Sequence, residues 1–170
     1  MKNSSHPILL LSSILAIAIF TTGCPVGIAY PLCTESQIEK TDKKLLGTWV
    51  AVSDSAEILE MSIKTKDATT YAVEVIKKGE MYMLDGNRFL SWATKLEGHD
   101  FIFSQAVESE NPEYYLFHFA FEGKKLVLHD VSLLVGGIDA VTSTEAFREE
   151  VAASLKQPDC LTSRIEYVKK

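Results

Sequence analysis

Glycine-containing dipeptides that separate short apolar runs constrain the fold of this chain more than any other feature. Lys78-Gly79, Glu97-Gly98 and Glu122-Gly123 each lie between two such runs. Tight two-residue β-hairpin turns have this composition, because glycine adopts the positive φ that they require. The spacing therefore predicts consecutive hairpins, and with them an all-β, mainly antiparallel domain.

Eight segments have the composition of β-strands: residues 45–53, 58–64, 71–77, 80–84, 88–96, 99–107, 114–121 and 124–129. Two-residue turns bring apolar residues into cross-strand pairs: Trp92 with Phe103, Val73 with Leu84, and Phe119 with Leu126. A three-residue loop at 85–87 pairs Tyr82 with Leu90 in the same frame. In each hairpin the apolar side chains then share one face, as packing on a sheet requires.

The periodicity becomes helical after residue 142. Thr142-Ser143-Thr144-Glu145 has the spacing of a helix capping box. Apolar residues follow at helical intervals up to Pro158, namely Ala146, Phe147, Val151, Ala152 and Leu155. Arg148-Glu149-Glu150 is predicted to be the solvent-facing side of this helix, and residues 164–168 are predicted to form one last short strand.

The N-terminal segment has the features of a secretion signal. Lys2 precedes an uncharged apolar run at residues 8–20, which ends in Thr21-Thr22-Gly23-Cys24. The run is shorter than the about 20 residues that a membrane span needs. Its end resembles the lipobox of bacterial lipoproteins, in which the signal is removed just before a cysteine that carries the lipid.

The lipobox resemblance implies cleavage between Gly23 and Cys24, with fatty acyl chains such as palmitate on Cys24. Thr21 stands where that family usually has Leu, Val or Ile, and the alternative is a secreted protein in which Cys24 forms a disulfide. By analogy with lipoprotein sorting in Gram-negative bacteria, Pro25 after the cysteine, rather than Asp, favours the outer membrane facing the periplasm over the inner membrane. The predicted organisation is a signal at 1–23, a lipidated lead at 24–44 that holds the domain off the membrane, and a β domain at 45–170.

Charge and cysteine content bound the partners and the compartment. The chain has a formal net charge of −6 and no basic cluster, which argues against nucleic acid and anionic lipid as partners. An oxidising compartment favours a disulfide between Cys33 and Cys160, which would join the lead to the C-terminal segment. Two free thiols or an intermolecular bridge are the alternatives.

Gly47-Thr48-Trp49 at the start of the first strand, together with the order of strands and helix, resembles a lipocalin. The resemblance implies an up-and-down β-barrel of about eight strands, with a C-terminal α-helix and a short final strand. In that family the Gly-x-Trp element closes the barrel floor and an Arg packs across the Trp ring. Gly47 and Trp49 match the first part, and Arg164 is the best match to the Arg. The family's Thr-Asp-Tyr element is absent. Residues 45–49 and 141–145 also resemble uncharacterised bacterial lipoproteins.

Aromatic residues are the candidates for a ligand cavity. They are Trp92, Phe101, Phe103, Tyr115, Phe117 and Phe119, and they are predicted to line the barrel interior or to fill it as a core. His118 and His129 are predicted to lie diagonally on the opposite face, where they could share a transition metal or simply be two surface histidines. We predict no metal and no cofactor.

Motifs of catalysis are missing from the sequence. It contains no Gly-x-Ser-x-Gly, no His-Glu-x-x-His and no glycine-rich phosphate loop, so we do not expect an enzyme. Two functions remain: a membrane-anchored envelope lipoprotein that holds a small apolar ligand in its barrel, or a filled barrel that binds another envelope protein, as inhibitor-type lipoproteins do. An interior cavity of a few hundred Å³ would favour the first function, and a solid interior the second.

Overall fold

The structure is a computed structural model, which describes residues 27–53, 56–78, 86–109 and 113–170. Its strands and helix are β1 Gly47–Ala51, β2 Ile58–Thr65, β3 Thr70–Lys77, β4 Arg88–Leu96, β5 His99–Ala106, β6 Tyr114–Glu122, β7 Lys125–Val131, α1 Thr144–Ser154 and β8 Leu161–Lys169. The eight strands form a closed antiparallel barrel in sequence order. This confirms the predicted fold class, and the final strand is the eighth strand of the barrel.

Several predictions concern residues outside the described ones. They are the signal at 1–23, the cleavage after Gly23, the lipid on Cys24 and the candidate strand at 80–84. Among the described residues, no helix is both long enough and apolar enough to cross a membrane.

The hairpin at Glu97-Gly98 forms as predicted. Leu96 pairs with His99, and Trp92 pairs with Phe103. Both turn residues have positive φ, 51° for Glu97 and 81° for Gly98. This is the backbone of a type I′ turn, whose twist matches that of the two strands.

Other hairpin registers differ from the predicted ones. The turn between β6 and β7 is Gly123-Lys124, so Phe119 pairs with Leu128 instead of Leu126. That shift of two residues leaves each side chain on its predicted face. On β3, Val73 pairs with Ile63 of β2 and with Phe89 of β4, so the predicted pairing with Leu84 is wrong. Likewise Leu90 pairs with Ala72 and Gln105, in place of the pairing predicted with Tyr82.

The barrel has two distinguishable ends. At the floor end, β1 begins, and the turns at Glu97-Gly98 and Gly123-Lys124 lie there. At the mouth end lie the β1–β2, β3–β4 and β5–β6 connections, because consecutive strands run in opposite directions. Side chains alternate between the interior and the outside along every strand.

Two apolar cores occupy the two sides of the barrel wall. The inner core fills the barrel and includes Trp49, Ile63, Tyr71, Phe89, Ile102, Phe119 and Tyr167. The outer core lies between the barrel wall, α1 and the N-terminal lead, and includes Leu32, Phe101, Phe103, Leu116, Phe147 and Val151. One side of the barrel is therefore buried on both faces, which explains why the strands there are apolar throughout.

The N-terminal lead belongs to the folded domain from Ile28 onward. Ile28 exchanges two backbone hydrogen bonds with Tyr114 at the mouth end, of 3.0 and 2.8 Å. Leu32 is buried in the outer core, and Glu39 N–H donates to the Ala93 carbonyl at 2.9 Å. The lead thus runs down the outside of the barrel to the start of β1. The domain starts at about residue 28 instead of 45, and most of the segment predicted as a linker is packed structure.

Cys33 and Cys160 are both free and buried, so the predicted disulfide is not formed. Each thiol has its own surroundings: Cys33 lies in the outer core beside Thr94, and Cys160 Sγ donates to the Ser132 carbonyl at 3.5 Å. Burial raises the pKa of both thiols. They remain protonated at neutral pH, which lowers their reactivity.

Helix α1 begins with Ser143 as its N-cap, one residue later than the predicted Thr142. The Ser143 hydroxyl accepts from Ala146 N–H at 3.1 Å. Phe147 and Val151 face the barrel wall as predicted. Glu150, predicted to face solvent, is instead 6 % exposed.

The Glu150 carboxylate holds the loop that precedes α1. It accepts from the N–H groups of Val135 at 3.0 Å, Gly136 at 2.8 Å and Gly137 at 3.3 Å, and from the Ser154 hydroxyl at 3.1 Å. Burial alone would raise the pKa of Glu150, but the hydrogen bonds outweigh it and lower the pKa below its usual value. A single buried carboxylate thus satisfies three consecutive backbone donors.

We predict that Glu150→Gln lowers the free energy of unfolding by about 1–3 kcal/mol, because an amide cannot accept all of these hydrogen bonds. The neighbouring Glu149 is exposed, and Glu149→Gln is the matched control, with an expected change within about 0.5 kcal/mol. Urea denaturation at neutral pH measures both. A folded-state pKa below the unfolded one stabilises the fold above the unfolded pKa and ceases to do so as the pH falls through the folded pKa. Glu150→Gln should therefore weaken the acid dependence of stability, and equal losses in both variants would contradict this role.

Candidate functional site

Trp49 closes the floor of the barrel. Its ring is 3 % exposed, lies 6.2 Å from the Phe121 ring, and its Nε1 donates to the Leu45 carbonyl at 2.8 Å. Tyr71 adds a second tie at this end, since its hydroxyl accepts from Asp42 N–H at 2.6 Å. The segment that enters β1 is thereby fastened across the end of the barrel, and the indole N–H keeps a partner on burial.

The cation over Trp49 is Lys169, in place of the predicted Arg164. Lys169 Nζ lies 5.0 Å from the ring centroid and donates to the Lys44 carbonyl at 3.2 Å. The register explains the difference: Lys169 is paired with Trp49 across β1 and β8, whereas Arg164 is five residues away and on the outward face. There Arg164 forms ion pairs with Glu122, at 2.6 Å, and with Glu166.

Gly47 makes room for that lysine. Its φ is +123°, and a Cβ at this position would lie 2.9 Å from Lys169 Cε. In the Gly-x-Trp element, Gly47 therefore leaves the space in which the Lys169 side chain passes to reach the Trp49 ring.

An apolar cavity of about 50 Å³ runs along the barrel interior. Its lining residues come from the six strands β2 to β7 and from the segment just before β1: Leu45, Ile58, Met61, Ile63, Val73, Val75, Phe89, Ser91, Ile102, Ser104, Phe117, Phe119, Leu126 and Leu128. All of them except the two serines are apolar. Ser91 Oγ and Ser104 Oγ lie 2.7 Å apart and hydrogen-bond to each other, so neither hydroxyl is left without a partner in the apolar wall.

The cavity is accessible from the mouth end. Lining residues of the floor half, such as Leu45, Ile63 and Leu126, are buried, whereas Ile58, Phe117 and Leu128 nearer the mouth are partly exposed. Because these side chains face the interior, solvent must reach them through the mouth. Trp49 lies across the floor, and the partly exposed lining residues lie toward the mouth.

Polar groups lie inside the mouth. Burial raises the pKa of Asp130, a hydrogen bond to Ser163 opposes the rise, and Glu57 adds to it. The Tyr167 hydroxyl donates to the Ile58 carbonyl at 3.1 Å, and burial together with Asp130 raises the pKa of Tyr167 well above its usual range. The mouth thus holds a carboxyl group and a neutral phenol, and Lys77 at the end of β3 brings a cation to the same end of the barrel.

The six predicted aromatic residues separate into two groups. Tyr115, Phe117 and Phe119 face the interior, and two of these line the cavity. Trp92, Phe101 and Phe103 face outward and belong to or pack against the outer core, so their prediction as interior residues is wrong. The reason is the β5–β6 register, in which Phe103 pairs with Leu116 and Phe101 with His118.

The three histidines of the described residues form a row on the outside of β5, β6 and β7. His118 pairs directly with His129, closer than the predicted diagonal, and their Nδ1 atoms lie 3.3 Å apart. The ring of His99 lies 5.4 Å from that of His118. In the part of the chain that the structure describes, no three metal-ligating side chains are grouped to hold one ion.

Both paired histidines are predominantly neutral at neutral pH. Burial, with His129 and His99 nearby, lowers the pKa of His118 to about 4. Burial and Arg164 lower the pKa of His129. When two neutral imidazoles face each other through Nδ1, one Nδ1–H donates a hydrogen bond to the other Nδ1. The pairing of His118 with His129 is therefore explained as a structural contact.

The sequence did not reveal Lys169, Asp130 or the Ser91–Ser104 pair as site residues. The pairing of Ser91 with Ser104 could have been predicted from the sequence. The two serines occupy equivalent positions on either side of the Glu97-Gly98 turn, so the hairpin register alone pairs them. Lys169 and Asp130 depend on the pairing of β8 with β1 and β7, which no local pattern indicates.

Comparison of the chain with protein-family models, with curated proteins and with solved structures gave no match. The function is therefore argued from the geometry of the barrel.

We predict that Gly47→Ala lowers the free energy of unfolding by about 3 kcal/mol, because it adds backbone strain and a contact with Lys169. Gly98→Ala is the control: Gly98 also has positive φ, but its Cβ would meet open space, and we expect a loss of about 1 kcal/mol. In the Lys169→Ala background, Gly47→Ala should cost less free energy of unfolding, because the contact with Lys169 is then absent. A double-mutant cycle measures this difference. Equal losses for Gly47→Ala and Gly98→Ala would show that Lys169 is not involved.

Proposed function

We propose that this protein is an envelope lipoprotein, lipocalin-like in fold, whose barrel binds one small apolar molecule through its mouth. The observation that carries the proposal is the continuous apolar cavity, closed at the floor by Trp49 and reached by solvent from the mouth end. Small-molecule sites are concave, mostly apolar and provided with few polar groups, as this interior is. Lipid attachment at Cys24 and location on the periplasmic face of the outer membrane form part of the proposal and rest on the lipobox resemblance.

The lining determines the chemistry of the ligand. Apolar walls favour hydrocarbon, and each methylene buried contributes about 0.8 kcal/mol. The hydroxyls of Ser91 and Ser104 are the polar groups of the wall and could exchange their mutual hydrogen bond for one with a ligand hydroxyl or carbonyl. Asp130 and Lys77 both lie at the mouth, so the charges there select neither an anionic nor a cationic head group, and the apolar wall determines the preference.

The size of the cavity limits the ligand. A volume of about 50 Å³ is well below the roughly 300–1,000 Å³ of common ligand pockets. The barrel accepts a short hydrocarbon chain as it stands, and a longer one requires the interior side chains to move.

The same size favours the second candidate function, a packed barrel that acts as a scaffold and binds another envelope protein. Eight strands leave an interior that side chains can fill on their own. In that case the outer surface would carry the binding site, and the residual cavity would be a packing defect.

A series of straight-chain alcohols of increasing length separates the two candidates. We expect the melting temperature of the protein to rise with chain length until the chain exceeds the cavity, and then to stop rising. Val73→Ile with Val75→Ile adds two methylene groups to the cavity wall and should move this limit to shorter chains. Ala72→Val adds bulk on the outward face of the same strand and should leave the limit unchanged.

Native mass spectrometry of the protein isolated from its own host complements that series. A retained small molecule that is lost in the Val73→Ile, Val75→Ile variant would support the ligand-binding function. No stabilisation by any alcohol, together with a retained protein partner, would support the scaffold function.

We predict that Cys24→Ser removes the protein from the membrane fraction, because acyl chains on Cys24 are the proposed attachment. Fractionation of cells that express each form measures the distribution, and mass spectrometry of the mature protein measures the added lipid. Cys33→Ser is the control, since Cys33 is a buried free thiol of the folded domain. Persistence of Cys24→Ser in the membrane fraction would overturn the lipoprotein assignment.

A further inference from the structure

We propose that the mouth of the barrel faces the bilayer surface, so that the cavity takes up an apolar molecule directly from the membrane. This inference rests on the proposed function, in that it takes Cys24 as the lipid-modified residue. Two independent observations carry it: the end of the barrel at which the lead enters the fold, and the distribution of exposed apolar side chains.

The first observation concerns the reach of the anchor. Ile28 is hydrogen-bonded to Tyr114, the first residue of β6 at the mouth end. Three residues lie between Cys24 and Ile28, and the four residue-to-residue steps span at most about 14 Å when fully extended. Strand β6 has nine residues, which is about 30 Å along the strand, and the usual tilt of barrel strands of about 40° leaves about 23 Å between the mouth end and the floor end. An anchor at Cys24 is therefore held near the mouth and away from the floor.

The second observation concerns the exposed surface. Eight large apolar side chains are exposed among the described residues. Four of them lie within two residues of the mouth ends of β1, β3 and β5 or of the Ile28–Tyr114 contact: Val52, Ile76, Val107 and Tyr30. Three more, Leu134, Val135 and Ile138, lie in the loop beside α1. One, Val168, lies at the floor end. Apolar side chains gathered at one end of a domain favour contact with a membrane interface.

The occupant of this surface is a lipid bilayer with a neutral surface. The chain is acidic overall, with a net charge of −6, which disfavours binding to an anionic surface by charge. The exposed apolar residues would contribute by burial in the interface, and the acyl chains at Cys24 would supply the main attachment. In this orientation the apolar cavity opens toward the hydrocarbon source, and a ligand can enter it without crossing water.

Tryptophan scanning with lipid-borne quenchers tests the orientation. The mature protein, isolated with its lipid modification, is reconstituted in vesicles of brominated phosphatidylcholine, with Val107→Trp as the mouth probe and Val168→Trp as the floor probe. The two valines have similar exposure, 51 % and 40 %, so the variants are matched. The fluorescence of Trp49 and Trp92 is subtracted with the unmodified protein.

We expect bromine to quench the tryptophan at position 107 and to leave that at position 168 unaffected. Val107→Asp with Ile76→Asp should also slow the transfer of a long-chain alcohol from vesicles to the barrel several-fold, with an unchanged affinity in solution. Val168→Asp should not slow it.

The possible failures are distinguishable. Protein that does not float with the vesicles would overturn both the anchor and the orientation. Protein that floats but shows equal quenching at both positions, or stronger quenching at position 168, would overturn the orientation alone. In that second case the alcohol series in solution would still stand as a test of the ligand-binding function.

Discussion

Three residue pairs between β1 and β8 close the sheet: Trp49 with Lys169, Val50 with Val168, and Ala51 with Tyr167. The rest of the structure depends on this seam, because closure removes both free edges of the sheet and separates an inside from an outside. The seam also brings the lysine over the indole ring and thereby completes the floor. Without the pairing of the first strand with the last, the sheet would enclose neither a cavity nor a mouth.

A second layer determines which parts of the barrel are available for binding. The lead and α1 cover the outer faces of β4, β5 and β6, and they bury Phe101 and Phe103 there. Buried hydrogen bonds hold this layer in place, those of Glu150 with the loop before α1 and that of the Thr94 hydroxyl with the Gln37 carbonyl at 3.0 Å. The barrel interior and its mouth are left as the concave apolar surface, and the lead meets the barrel at that same mouth, where Ile28 is hydrogen-bonded to Tyr114.

The hairpins and the helix could be predicted from the sequence because their information is local. Glu97-Gly98 sets the pairing of β4 with β5 through the backbone of two residues. The faces of residues in β6 and β7 were also predicted correctly, although the register was shifted by two, since such a shift preserves alternation. The pairing of β3 with the segment at 80–84 was predicted wrongly, because the apolar residues of that segment resemble a strand in composition. In the structure β3 pairs with β2 along one edge and with β4 along the other.

The site itself could be predicted only in part. Gly47 and Trp49 were recognised from their motif, but Arg164 was chosen over Lys169 because the register of β8 is not written in any local pattern. Trp92, Phe101 and Phe103 could not be assigned to a face, because strands covered on both sides carry apolar residues at every position. By its position in the sequence, Glu150 belongs to the polar side of the helix. It is buried because the loop before α1 packs against it.

The sequence by itself determined the fold class, the Glu97-Gly98 turn and the position of the helix, because these depend on neighbours along the chain. Tertiary structure alone decided which aromatic residues line the cavity, which cation covers Trp49, that Cys33 and Cys160 remain apart, and at which end of the barrel the lead enters the fold. Each of these depends on contacts between residues distant in sequence. Such contacts are set by barrel closure and by the packing of the second layer, and both are properties of the whole domain.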